Sequence, residues 1–118
     1  GEIRAKYVSR DQLRQELTDI RDNWSTLRER LQQQLVSVAE AKRRLQMVGA
    51  PTEPEDIDIS RNYLKEIIYK SQFIRRRYTI MDVAVRLNRY EEWLDRLFSE
   101  RGLWPIDRQD PDYNPINY

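Results

Sequence analysis

Apolar residues recur along this chain at spacings of three and four, behind side chains able to cap a helix, and almost never alternate with period two. That period belongs to the α-helix and predicts a fold with no sheet. Ser9-Arg10-Asp11-Gln12 has capping-box spacing, in which a hydroxyl and an amide satisfy the orphan N–H groups of a first turn. Leu13, Leu17, Ile20 and Trp24 then share one face. A second helix is expected from near Ser25, with Leu27, Leu31 and Leu35 in register and Arg28, Arg30 and Gln32 to Gln34 on the wet side. Ser37-Val38-Ala39-Glu40 repeats the capping-box spacing and opens a helix that turns Ala41, Leu45 and Val48 inward. It should stop at Gly49, which takes the left-handed conformation cheaply.

Two prolines make Ala50 to Ser60 a connector, since each biases the residue before it away from helix. Thr52 and Glu55 are spaced for a short capped turn, and Ile57 with Ile59 can pin the loop to a core. Ser60 caps the strongest helix, with Leu64, Ile67, Ile68 and Ile74 as its stripe and Tyr63 and Phe73 at the margins. Thr79 is a further N-cap with acidic Asp82 in the first turn, leading to Val83, Ala84 and Leu87. A last helix, Glu91 to Arg101, presents Trp93, Leu94, Leu97 and Phe98 before Gly102. Three prolines follow Gly102 and exclude a regular helix, although Trp104, Ile106, Tyr113, Ile116 and Tyr118 give this tail apolar handles.

These elements predict an all-α fold, an irregular bundle of five or six helices over residues 1–102 with an extended Pro-rich C-terminal tail over 103–118. The expected core is Leu17, Ile20, Leu31, Leu45, Leu64, Ile67, Ile68, Ile74, Val83, Leu87, Leu94 and Leu97. Trp24, Trp93 and Trp104 are large enough to anchor a core or an interface. Apolar residues on two faces of one helix would mark surface meant for a further domain or partner.

Composition narrows the chemistry. The 118 residues suffice for one domain and exclude a two-domain enzyme. Charged residues reach 35%, against about 25% ordinarily, so the core is thin. No apolar run approaches the ~20 residues of a membrane span and no signal-type apolar region opens the chain, so a soluble, cytoplasmic protein is expected. There is no His and no Cys, which removes thiol chemistry and the usual transition-metal ligands. The three Gly stand alone at 1, 49 and 102, so no Gly-rich phosphate cradle is present. Glu53, Glu55, Asp56 and Asp58 are clustered carboxylates of the kind that acid/base work uses, but capping and solubility of a solvated connector explain them without a site. The expected catalytic, cofactor and metal residues in this chain are therefore none.

The net charge of +1 hides an asymmetry. Residues 61–90 carry eight Lys and Arg against two acidic residues, and residues 91–118 carry three against seven. Lys65, Lys70, Arg75, Arg76, Arg77, Arg86 and Arg89 can face an anion, or they can be compensated by the acidic C-terminal segment. Ile74 to Tyr78 followed by a short capped helix has a trace of helix-turn-helix pattern. Near-neutral charge and the missing turn glycine argue against a nucleic-acid partner.

KYVSRDQLRQEL, RDNWSTLRERLQQQLVS, GAPTEPEDIDIS and FIRRRYTIMDVA together resemble the C-terminal helical region of glycerol-1-phosphate dehydrogenases, within the iron-containing alcohol dehydrogenase and dehydroquinate synthase-like superfamily. The resemblance runs from Lys6 to Leu97 and is most specific in the Gly-Ala-Pro-Thr connector paired with the Ile-Arg-x-Arg-Tyr-Thr turn. It departs at Arg76, where the family more often has an acidic residue, and in the tail after Gly102. The resemblance implies a parent oxidoreductase with NAD(P) on an upstream nucleotide-binding domain and a divalent metal held by upstream His and Asp ligands. None of those groups maps onto a residue of this chain. The implied role is structural: a cleft wall and subunit contacts, with the nucleotide-binding domain as partner and a homo-oligomer possible. The alternatives are a free-standing helical interaction module and a helix-turn-helix-like nucleic-acid binder.

Overall fold

The computed structural model describes residues 6–74, 77–109 and 113. The fold is all-α: among the described residues there are six α-helices, a 3-10 turn at Pro54–Ile57 and no strand. The helices are α1 (Arg10–Asp22), α2 (Trp24–Gln34), α3 (Val38–Met47), α4 (Arg61–Ser71), α5 (Ile80–Arg86) and α6 (Tyr90–Leu97). They fall into two compact units, one of Ser9–Ile57 and one that joins Gly1–Val8 to Asp58–Tyr118.

In the first unit α1 and α3 start at their caps, whereas Asn23 before α2 makes no side-chain capping hydrogen bond. Ser9 Oγ accepts the Gln12 N–H at 3.2 Å and Gln12 Oε1 accepts the Ser9 N–H at 2.8 Å, so both halves of the capping box form. Ser37 Oγ likewise accepts the Glu40 N–H at 3.1 Å. The reciprocal half does not form there, because the Glu40 carboxylate runs down the helix to Arg43 and Arg44 at 2.8 and 2.7 Å. Between α1 and α2 the chain breaks only at Asn23, whose side-chain amide donates to the Asp19 carbonyl at 2.9 Å. Gly49 ends α3 at φ +69°, and the Gly49 and Ala50 amides return to the Gln46 and Leu45 carbonyls, each at 3.0 Å.

The second unit is built on the end of α4, which has no glycine to close it. Its last carbonyls are satisfied one by one. Ile68 O accepts the Tyr90 hydroxyl at 2.6 Å and the Ser71 hydroxyl at 2.7 Å. Tyr69 O accepts the Gln72 amide at 3.1 Å, Lys70 O the Phe73 N–H at 3.0 Å, and Gln72 O the Lys6 ammonium at 2.9 Å. Tyr90 opens α6 and also stacks on Tyr69, with ring centroids 6.1 Å apart. α5 and α6 meet through the turn at Asn88, which sits at φ +54°. Ala84, Tyr90, Leu94 and Phe98 form the buried apolar core.

That core is smaller than the periodicity predicts. Of the expected positions only Leu94 is buried; Leu17, Ile20, Leu64, Ile68, Val83 and Leu97 are half-buried. Leu31, Leu45, Ile67, Ile74 and Leu87 are exposed, with Ile74 at 67%. No residue of α1, α2, α3 or α4 is buried. A 3.6-residue stripe states which face of a helix is apolar, and burial requires a second surface to cover it. The last helix is also shorter than expected, ending at Leu97 rather than Arg101. Gly102 therefore does not stop the helix itself: a Cβ there would fall onto the Leu97 and Arg96 carbonyl oxygens, so it serves a close approach of the following chain.

This distribution sets an expectation for stability. Leu94→Ala and Phe98→Ala should each lower the unfolding free energy by about 2–5 kcal/mol, whereas Leu31→Ala should change it by less than about 0.5 kcal/mol. Urea unfolding followed by circular dichroism checks both, and equal costs at Leu31 and Leu94 would contradict the assignment of the core.

Candidate functional site

Of the connector carboxylates, Asp56 holds a turn. Asp56 Oδ2 accepts the Thr52 and Glu53 N–H groups at 2.9 and 3.0 Å, and these bonds hold its carboxyl below the usual aspartate range. Asp56 thus caps this turn, with the backbone N–H groups donating to it. Glu53 pairs with Lys42 of α3, and Asp58 takes the left-handed φ of +58°. Ile57, expected to pin this loop, is 54% exposed, and Ile59 is half-buried. Among the described residues no three or more acidic groups gather in a way that would hold a metal ion.

A denser polar constellation surrounds the start of α5, at the Tyr78-Thr79 turn singled out in the sequence. Thr79 is the N-cap, and Asp82 Oδ2 accepts both its N–H, at 2.8 Å, and its hydroxyl, at 3.0 Å. The other carboxylate oxygen, Oδ1, meets the Lys6 ammonium at 2.8 Å. Lys6 thereby bridges α5 and the last carbonyl of the α4 turn, and its own carbonyl receives an N–H of Arg86 at 3.4 Å. Asp82 is buried, and the Lys6 side chain is mostly so. Burial by itself raises the Asp82 pKa, but the Lys6 contact and the two Thr79 hydrogen bonds outweigh it and leave the carboxyl below its ordinary value. Burial also raises the Tyr90 phenol, with Tyr69 and Asp82 adding in the same sense.

The basic segment is largely compensated inside the chain. Lys65 meets Asp95 of the acidic C-terminal stretch at 2.7 Å, Lys70 pairs with Glu66, and Arg89 pairs with Glu92. Arg86 lies over the Tyr78 ring, 5.3 Å from its centroid. Arg77 is exposed, while Arg75 and Arg76 lie outside the described residues. The start of the tail is tied down: Trp104 N and Ile106 N donate to the Leu97 and Phe98 carbonyls, each at 3.1 Å, and the Arg61 guanidinium donates to Pro105 O at 2.9 Å. Trp104 packs on Phe98 with centroids 5.9 Å apart, whereas Trp24 and Trp93 are exposed. Tyr113 is half-buried; Ile116 and Tyr118 lie outside the described residues. Among the described residues no helix is long and apolar enough to cross a membrane.

Sequence reasoning found Thr79 and Asp82 through their local spacing. It missed Lys6 and Tyr90, whose partners lie tens of residues away and leave no local signal. Comparison with protein families, curated proteins and solved structures finds no match to this chain.

The Lys6–Asp82 contact makes stability depend on pH. The folded-state pKa of Asp82 lies below its unfolded value, so the stabilisation is fully present above the ordinary aspartate range and is lost as pH falls through the depressed folded value. Lys6→Met removes the ammonium that depresses it, so the acid unfolding midpoint should move to higher pH. Asp82→Asn should cost about 1–2 kcal/mol at neutral pH by loss of the ion pair with Lys6, while its amide oxygen can still accept the Thr79 N–H. Acid titrations followed by circular dichroism test both, and superimposable curves for the wild type and Lys6→Met would refute the coupling.

Proposed function

We propose that this chain is the helical C-terminal region of an NAD(P)-dependent glycerol-1-phosphate dehydrogenase-like oxidoreductase. In this reading it builds part of a cleft wall and subunit contacts and carries no reacting group itself. The observation that carries the reading is unspent apolar surface. Trp24, Leu27, Leu31, Leu35, Val38 and Leu45 on or beside α2 and α3 are all exposed, as are Tyr63 and Ile67 on α4. Patches of this kind on a well-capped helical scaffold fit surface that another part of a larger protein covers. The resemblance supplies the occupant, a nucleotide-binding domain upstream.

The residues present do not fit the groups that the parent would use. With no His or Cys in the chain, and with Asp56 and Glu53 engaged by backbone N–H groups and Lys42, no transition-metal ligand set is offered among the described residues. The glycines stand singly, so no nucleotide-cradling turn is offered either. NAD(P) and the divalent metal belong, in this reading, to the rest of the parent protein.

The free-standing interaction module draws on the same exposed surface and differs only in whether its occupant is covalently attached. A nucleic-acid partner draws no comparable support, because Lys65, Lys70 and Arg89 already face carboxylates.

The natural gene product separates these readings. A longer protein with an upstream nucleotide-binding half is expected, and it should reduce dihydroxyacetone phosphate with a nicotinamide cofactor. Leu31→Asp and Leu35→Asp in that protein should weaken its assembly while leaving the helix content of this region unchanged. A product of only this length, or a longer one inactive with every nicotinamide and triose phosphate pair, would overturn the dehydrogenase reading.

A further inference from the structure

One cleft in the Asp58–Tyr118 unit is not absorbed by the scaffold role. It has a volume of about 440 Å³, within the range of small-molecule sites, and lies where the end of α4, the α5–α6 turn and the first turn of α6 come together. Its lining includes Tyr69, Phe73 and Tyr90, with Glu91 and Glu92 at the start of α6. The rings are set at contrasting angles. The planes of Phe73 and Tyr69 are nearly perpendicular, at 83° with centroids 6.2 Å apart, while Tyr90 lies within 24° of parallel to Tyr69. Phe73 is 43% exposed, so this wall is reachable from solvent.

We propose that this cleft binds a small organic ammonium cation methylated at nitrogen, held against the exposed Phe73 ring with Glu91 as its counter-charge. Ring faces carry negative electrostatic potential and attract cations, most effectively those with little hydration to lose. A bare metal cation is a poor match, since Ca²⁺ requires six to eight oxygens and would make no use of the aromatic rings in the wall. A neutral apolar ligand would make no use of the carboxylates. Glu92 is already engaged by Arg89, whereas Glu91 makes no ion pair among the described residues. Both glutamates also favour the start of α6 electrostatically, a role that a nearby cation leaves intact. The inference rests on the cleft alone and is independent of the dehydrogenase reading.

Titration of the full chain with tetramethylammonium chloride, against sodium chloride at equal ionic strength, tests it by NMR. Saturable upfield shifts of the probe's methyl protons, the signature of packing over ring faces, are expected. Phe73→Leu and Glu91→Gln should each weaken binding by about two- to fivefold with circular dichroism unchanged. Glu91→Gln changes only an exposed side chain, so it remains informative if Phe73→Leu disturbs packing. A trimethyllysine peptide distinguishes the source of the cation: tighter binding than the free probe assigns the cleft to a modified protein chain, and equal binding to a small metabolite. Absence of saturation by both probes, or equal binding of neutral tert-butanol, would overturn the proposal.

Discussion

The Tyr90 hydroxyl bonded to the Ile68 carbonyl, 2.6 Å away, is the contact on which the α4–α6 unit turns. Helices of eleven, seven and eight residues are too short to persist alone in water, so each depends on what it packs against. Tyr90 supplies that dependence at both of its ends. Its hydroxyl shares the Ile68 carbonyl at the end of α4 with the Ser71 hydroxyl, and its ring stacks on Tyr69, with Leu94 and Phe98 also in the buried set. A phenylalanine there would keep the stacking and lose the hydrogen bond.

Electrostatics adds a second tie of different character. Surface pairs such as Arg43 with Glu40 or Arg21 with Asp22 are exposed and contribute little, because water screens them. Lys6 and Asp82 are largely shielded, and the carboxylate is shared between a helix cap and a residue 76 positions earlier in the chain. One side chain thus stabilises the start of a helix and fixes where the N-terminal segment lies against it. The same geometry explains how an acidic group stays charged in a buried position: the cost of desolvation is offset by one ammonium and two hydrogen bonds.

Much of the helical layout was legible in the residues because caps act over three positions. Ser9 with Gln12, Ser37 with Glu40 and Ser60 with Tyr63 need no knowledge of the fold to be read. The connector was legible as a turn but not in its wiring, since a carboxylate that accepts two N–H groups can come from any of several acids nearby, and Asp56 does it. The core was the least legible. Leu31 and Leu94 both lie on apolar stripes, yet one is exposed and the other buried, and nothing in periodicity separates them. For the candidate site, the chain announced Thr79 and Asp82 and was silent about Lys6.

What the sequence by itself determined is a helical chain with most of its helix starts in place, lacking the imidazole, thiol and glycine-turn equipment of most active sites. Those properties follow from local hydrogen bonding and from composition, which do not depend on distant residues. Only the tertiary structure decided which apolar faces are covered, that the tail from Leu103 is tied to the end of α6, and that Tyr69, Phe73 and Tyr90 line one cleft. Each of these is a meeting of surfaces beyond a single helix, and such meetings are set by packing and chain geometry rather than by the period of any one helix.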